Sequence, residues 1–162
     1  MNSLPFFSGF FQICYVTSDL DAGMRQIASR HGIERFRVKR DMQSLPGMPS
    51  MSLHQAHVFI GDTQIELIQP AGGDDAVYRD FCSRDGNELR HHHFGMWIDD
   101  KVQYDGLRAQ LAAQQIPVAF EIALPVGGAI YGDFRSSLGH YLEYVNLVPD
   151  VKANYYADVP RY

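Results

Sequence analysis

Four side chains able to bind a cation or move a proton recur at matched places in this chain: Gln12, Glu66, His93 and Glu143. Gln12 and His93 each stand seven residues before an aspartate, Asp19 and Asp100, that closes an apolar stretch and opens a helical pattern. Glu66 and Glu143 each sit inside an apolar run, Q-I-E-L-I-Q and Y-L-E-Y-V-N. The spacings agree, with fifty-four residues from Gln12 to Glu66 and fifty from His93 to Glu143. A carboxylate in the middle of such a run is expensive to bury without a partner, and no Arg or Lys lies close by in sequence to either one. A divalent cation would compensate both charges. One imidazole, two carboxylates and an amide oxygen, with no thiolate, form an oxygen-rich donor set. It suits one ion of Zn, Ni, Co, Mn or Mg and leaves positions for water or substrate.

The elements that must position these groups follow from periodicity and turn residues. Residues 10–17 read as a strand. Ser18 with Asp21 three residues later forms a capping-box-like start for a helix that lines up Leu20, Met24, Ile27 and Ala28, and Gly32 stops it. A strand is expected over Ile33–Lys39, then an irregular loop at QSLPGMPS. Strands His57–Ile60 and Gln64–Gln69 flank the hairpin signal Gly61-Asp62. Residues 71–89 read as a connector with one short helix near Val77–Cys82. The same order then returns: strand His91–Ile98, helix Lys101–Gln114 with Leu107 and Leu111 inward, and strands Ile116–Ile122, Ala129–Phe134 and Tyr141–Leu147. The expected class is α+β, a single domain over 1–162. It consists of two pseudo-symmetric β-α-β-β-β modules, 8–70 and 90–148, forming a curved, cleft-bearing mixed sheet, followed by an aromatic tail, 149–162, packed on the body or on a partner subunit.

Strand period two then sorts the faces. Gln12, Cys14 and Val16 share one side, as do His91, His93, Gly95 and Trp97; so do Gln64, Glu66 and Ile68, and Tyr141, Glu143 and Val145. If the modules pair as halves, Gln12, Glu66, His93 and Glu143 converge on one concave surface as the metal ligands. His92 points the other way, outward or into a structural role. His91 is a group behind the ligands or one that touches substrate. Trp97, Tyr131, Phe134 and Tyr141 are candidates to line an aromatic substrate pocket, with core packing as the alternative. Cys14 reads as a small core hydrophobe, and His54, His57 and His140 as surface or hydrogen-bonded histidines.

Composition removes several classes of partner. A formal charge of −5 and only 14 scattered basic residues argue against nucleic acid and against acidic membranes. Cys14 and Cys82 lack CxxC spacing, so neither a disulfide framework nor a thiolate zinc site is expected, and a reducing cytoplasm is the natural setting. The segment MNSLPFFSGFFQICYV has no basic start and is broken by Pro5, Gly9 and Gln12, so it reads as a lead-in and first strand rather than a signal peptide or a span.

Four motifs carry a resemblance: Q-x6-D-L-D from Gln12, G-D-T-Q-I-E-L around Glu66, H-H-x5-D-D from His92, and G-H-Y-L-E ending at Glu143. Together they make the chain, over about residues 8–148, resemble the vicinal oxygen chelate superfamily. That is the fold of glyoxalase I, methylmalonyl-CoA epimerase, extradiol dioxygenases and the bleomycin- and fosfomycin-resistance proteins. The resemblance places Gln12, Glu66, His93 and Glu143 on the four metal positions. It implies a metal-dependent isomerase or lyase that moves a proton alpha to a carbonyl, with Glu143 and Glu66 as catalytic carboxylates. The implied substrate is a small, hydrophobic or CoA-linked oxo compound, and the implied assembly is a homodimer. Glutathione-dependent glyoxalases place an Arg four residues after the first ligand and an Asn four after the second, where this chain has Val16 and Pro70, so glutathione is not expected. The phrase from Glu66 to Pro70 followed by glycines, with the His92-His93 pair, is closer to the epimerase branch. The usual short turn before the last ligand is replaced by the longer Asp133 to Gly139. The alternative is a metal-free binding or resistance protein of the same fold; an extradiol dioxygenase would need His in place of Gln12, and a fosfomycin-type transferase more cations than Arg135.

Overall fold

The structure is a computed structural model that describes residues 9–44, 50–82 and 88–162. The N-terminal lead-in over 1–8, the loop residues 45–49 and the connector residues 83–87 lie outside the described residues. The chain divides into two compact units: an N-terminal unit of Gln12–His92 with Asp158–Tyr162, and a C-terminal unit of Met1–Phe11 with His93–Ala157.

In the N-terminal unit, strand β1 (Phe10–Val16, which enters the unit at Gln12) leads into helix α1 (Leu20–His31) and then strands β2 (Arg37–Gln43), β3 (Met51–Ile60) and β4 (Thr63–Gly73). Their order across the sheet is β2-β3-β4-β1, antiparallel except for the parallel pair β1–β4. The parallel pairing needs a crossover, and α1 supplies it. Asp19, not Ser18, caps that helix, its carboxylate accepting from the Ala22 N–H, because Asp19 holds the extended backbone of the position before the first turn. Gly32 ends the helix in the left-handed conformation at φ 66, its N–H returning to the Ala28 carbonyl. Leu20, Ile33, Ala56, Val58, Ile65 and Leu67 form the core, with Met24, Ile27 and Ala28 of α1 packed against it. Burying each such aliphatic side chain contributes about 1.5–3 kcal/mol.

The expected strand at Ile33–Lys39 starts four residues later, at Arg37, because Ile33 is drawn into the core beneath α1. The hairpin partners run further than expected, to Met51 on one side and Gly73 on the other, with a register shift at Ser52/Leu53 opposite Pro70, whose nitrogen has no hydrogen to donate. The short helix α2 (Ala76–Arg79) falls where the connector was expected to hold one. Residues 160–162 lie along β3 in parallel: the Phe59 N–H donates to the Pro160 carbonyl at 2.8 Å and the Tyr162 N–H to the Phe59 carbonyl at 3.0 Å.

The C-terminal unit repeats the plan with strand β5 (Arg90–Trp97, in this unit from His93), helix α3 (Lys101–Ala113), and strands β6 (Val118–Leu124), β7 (Gly127–Asp133) and β8 (Tyr141–Leu147), ordered β5-β8-β7-β6 with β5–β8 parallel. Asp100 caps α3 by accepting from the Val102 and Gln103 N–H groups, so both aspartates seven residues after a candidate ligand are helix caps. Met96, Ile98, Leu107, Leu111, Ile130, Phe134, Leu142 and Tyr144 make its core. Gly127, at φ 135, starts β7 where a side-chain carbon would lie 2.1 Å from the Asn146 carbonyl oxygen, so only glycine fits. The segment from Asp133 to Gly139 contains a single-turn helix, α4 (Arg135–Leu138), and the aromatic tail, whose sequence has no clear period, forms α5 (Pro149–Tyr155) with Pro149 at its start. Tyr156, just beyond it, packs edge-on to Phe11 and Trp97. The result is the α+β class with two β-α-β-β-β repeats. No helix among the described residues is long and apolar enough to cross a membrane.

Candidate active site

Strand pairing decides what meets each candidate carboxylate. In the N-terminal unit the tight turn between β3 and β4 pairs Ile60 with Thr63 and so, three steps along, His57 with Glu66. The His57 Nε2 lies 2.9 Å from Glu66 Oε1, with both side chains buried. On the next strand Arg37 is paired with His57 and brings its guanidinium to the other ring nitrogen, Nη2 to Nδ1 at 3.4 Å. Arg37 in turn holds the Asp158 carboxylate at 2.8 Å through Nη1. That hydrogen bond is the main reason the Asp158 carboxyl sits below its ordinary value. Gln12 is also buried, paired in register with Gln64, and donates its Nε2 hydrogen to Gln64 Oε1 at 2.7 Å; Cys14 stands opposite Glu66 on β1. The Gln64 amide nitrogen is buried with no hydrogen-bond partner among the described residues, an uncommon state for a donor with this desolvation cost.

In the C-terminal unit Tyr131 of β7 is paired with Glu143 of β8 and donates its hydroxyl hydrogen to Glu143 Oε1 at 2.8 Å. Glu143 Oε2 lies 3.3 Å from His93 Nε2. His93 is fully buried and meets the Tyr131 ring edge-on at 5.1 Å. The Glu143 side chain keeps 12% exposure, so it is within reach of a small molecule. Tyr104 lies in the same field: burial first, and then the negative Glu143, push its hydroxyl up to about 12.

Two donors each about 2.1 Å from one ion stand about 3.0–3.4 Å apart for openings between a right angle and a tetrahedral one. The 3.3 Å between His93 Nε2 and Glu143 Oε2 therefore fits a shared divalent cation. In the other unit Gln12 spends its donor nitrogen on Gln64, leaving Oε1 as its ligand-type atom, and His57 engages one oxygen of Glu66. The absence of Arg or Lys close by in sequence does not leave the buried glutamates without protein partners. Arg37 approaches Glu66 through His57, and Tyr131 supports Glu143, so part of the cost of burial is met by protein groups.

The remaining candidates fall in different places. Tyr131 and Tyr141 are neighbours on adjacent strands, ring centroids 6.4 Å apart, beside His93. Phe134 lies elsewhere, in the hydrophobic core against Leu111, because β7 ends at Asp133 and the next residue turns inward. Trp97 is stacked on Phe11 at 4.4 Å with the Lys152 ammonium over its ring at 4.3 Å. His91 meets Tyr15 edge-on at 5.9 Å. His92 is fully buried between Tyr78 and Phe81, its Nε2 at 2.8 Å from the Val77 carbonyl, which can only accept, so of its two open readings the structural one holds. Cys14 is buried and neither cysteine is bridged. His57 is the site residue that sequence reasoning passed over as an ordinary histidine, although the two-residue turn at Gly61-Asp62 already places it opposite Glu66.

Comparison with known proteins agrees with this fold. The chain resembles the crystal structure of methylmalonyl-CoA epimerase from Mycobacterium tuberculosis, with a TM-score of 0.58 and 15% identity over 94% of this chain and 95% of that one. It also resembles a methylmalonyl-CoA epimerase in complex with methylmalonyl-CoA and NH4+, with a TM-score of 0.59 and 16% identity over 88% and 96%. A Streptomyces coelicolor methylmalonyl-CoA epimerase variant in complex with 2-nitronate-propionyl-CoA matches at 0.59 and 17% over the same shares. At these identities the likeness is one of fold. No protein in a search of curated sequences matches. The profile of the Glyoxalase/Bleomycin resistance protein/Dioxygenase superfamily matches residues 11–129, well over half of the chain, and the chain belongs to that superfamily.

Proposed function

We propose that this chain is a divalent-cation-dependent enzyme that moves a proton alpha to a carbonyl, an isomerase, epimerase or lyase acting on a small oxo compound such as a CoA thioester. The observation that carries this reading is the Glu143 arrangement: a largely buried carboxylate that keeps a small accessible edge, with one oxygen fixed by Tyr131 and the other 3.3 Å from an imidazole nitrogen. His93 and Glu143 would hold the cation from the C-terminal unit, and Gln12 and Glu66 are the candidate ligands of the N-terminal unit. A bound cation of this kind supplies Lewis-acid polarisation of a substrate carbonyl, which acidifies the adjacent C–H.

Glu143 is the group placed to take that proton, because Tyr131 holds the carboxylate plane and so limits the orientations its second oxygen samples. Glu66 is the second candidate base. Tyr141, buried beside His93 and Tyr131, would exclude water from the reacting carbon. The known methylmalonyl-CoA complex of a structural neighbour makes that thioester the first substrate to test. A homodimer in the cytoplasm, with no nucleic-acid or membrane partner, completes the reading.

One observation favours a second reading. The His57 and Arg37 support lets Glu66 stay buried without a cation, as a metal-free binding protein of the same fold would require. Deuterium wash-in at the α-carbon of methylmalonyl-CoA, followed by NMR with Mn2+, Co2+ or Zn2+ supplied, separates the two. The enzyme reading expects exchange that falls by about 10²–10⁴ in Glu143→Gln while the variant's circular dichroism stays unchanged. Binding of the thioester with no exchange under any of these ions would establish the metal-free reading instead.

A further inference from the structure

We infer that His57 is a positioning residue for Glu66, fixed by Arg37 as the tautomer that carries its proton on Nε2, and that the chain's last residues hold this lock in place. Its role toward a cation rests on the reading above; the lock itself does not.

The argument starts from what an arginine can do. A guanidinium has five N–H donors and no acceptor, so a ring nitrogen that faces it must offer a lone pair. Arg37 Nη2 faces His57 Nδ1, at 3.4 Å, the long end of hydrogen-bonding distance. Nδ1 is then bare and the ring proton sits on Nε2, the atom 2.9 Å from Glu66 Oε1. The His57 N–H therefore donates to the carboxylate, and the alternative tautomer would set two lone pairs against each other at that contact. All three groups are buried: Arg37 keeps 8% exposure, Glu66 6% and His57 1%. In so dry a place a misdirected proton costs far more than it would in water.

Arg37 needs an anchor of its own, and it comes from the far end of the chain. Asp158 accepts from Arg37 Nη1 at 2.8 Å. The residues after it are tied to β3, with Phe59 bonded to Pro160 and Tyr162 through the backbone. The Tyr162 hydroxyl takes hydrogen bonds from the Glu34 and Arg35 N–H groups, just before β2. The relay Asp158, Arg37, His57, Glu66 thus runs from the tail across β2 and β3 to β4 and ends on a candidate ligand. Its effect is to commit one carboxylate oxygen to His57 and to fix the plane of the other.

The experiment has two arms. Long-range ¹H–¹⁵N correlation of the imidazole at a single neutral pH, on the full chain without added metal, reads the tautomer directly. His57 is expected as Nε2–H, with loss of the single tautomer in Arg37→Met; a Nδ1–H ring in the unmodified chain would overturn the lock. Mn2+ titration by calorimetry reads positioning. His57→Phe is expected to weaken Mn2+ by about 10- to 100-fold, and His57→Gln, which keeps an N–H donor of similar reach, to restore most of it. Equal affinity in both variants, with both folded by circular dichroism, would overturn the positioning role. A chain that keeps the Nε2–H tautomer yet takes up no Mn2+ would sink the cation reading alone and leave the lock standing.

Discussion

The two units solve one problem with different chemistry. Read across its strands, the N-terminal sheet carries the row Arg37, His57, Glu66, Cys14, and the C-terminal sheet carries Phe120, Tyr131, Glu143, Gly95 at the corresponding pairings. In both rows the glutamate is held on one oxygen by the side chain directly opposite it on the neighbouring antiparallel strand, at 2.9 Å and 2.8 Å. Behind that donor the rows diverge. Arg37 backs His57 with a charge, whereas Phe120 backs Tyr131 with an apolar ring at 5.6 Å. An imidazole can turn its proton either way and needs a neighbour to choose; a phenol has a single hydrogen to offer and needs only packing. In accessibility the two carboxylates are close, with side-chain exposures of 9% for Glu66 and 12% for Glu143.

The largest expected effect falls on the glutamates. If Glu143 moves the proton and Glu66 mainly shapes the site, Glu143→Gln lowers α-deuterium exchange by about 10²–10⁴, and Glu66→Gln lowers it less. A reversed order would exchange their roles. Next come the two helices that close the cores. Leu20 and Leu107 are both fully buried, so Leu20→Ala and Leu107→Ala should each cost about 2–5 kcal/mol in urea unfolding. A much smaller loss in one would mean that its unit repacks around the cavity. Tyr131→Phe removes a neutral donor to a charged acceptor and should cost about 1.5–3 kcal/mol of Glu143 support, read as a loss of Mn2+ affinity of up to about 10- to 150-fold. An unchanged affinity would show that packing by Phe120 and His93 alone holds the carboxylate.

The smallest effects appear in pH. Asp158, lowered chiefly by its Arg37 hydrogen bond, adds stability above its unfolded value near 3.8 and loses it as pH falls through the lowered value. Asp158→Asn should therefore flatten the acid limb of thermal stability; because the carboxylate is exposed, the change is small and salt-sensitive. Tyr104 behaves in the opposite sense. Its hydroxyl, raised from 10.0 to about 12 by burial and then by Glu143, contributes stability below pH 10 that is lost as pH rises through about 12. Tyr104→Phe should remove that part of the alkaline decline, and ultraviolet titration should show one fewer late-ionising phenol.

Much of this was legible in the chain because repeats and turns are local signals. The aspartates seven residues after Gln12 and His93 are the caps of α1 and α3, and the inward faces of both helices follow from 3.6-residue spacing. His57 opposite Glu66 was legible in principle, since the two-residue turn Gly61-Asp62 sets the register of β3 against β4. Arg37 was not: β2 reaches β3 through a loop whose length does not determine register, and its bonding partner Asp158 stands 121 residues away in sequence. Phe134 stayed open between pocket and core because an aromatic beside a strand end has no period to say which way it turns, and the chain turns it into the core. The tail helix α5 carried a start signal, Pro149, but no amphipathic stripe to extend it.

The proposal that most needs testing is that Glu66 and Glu143, with Gln12 and His93, are ligands for a divalent ion used in proton transfer. The most direct test is the metal content of protein purified without chelator, by mass spectrometry, beside a Glu66→Ala/Glu143→Ala double variant shown to be folded. The account predicts about one divalent ion per chain in the unmodified protein and its loss in the double variant. No ion under any loading, or the same content in both proteins, would contradict it.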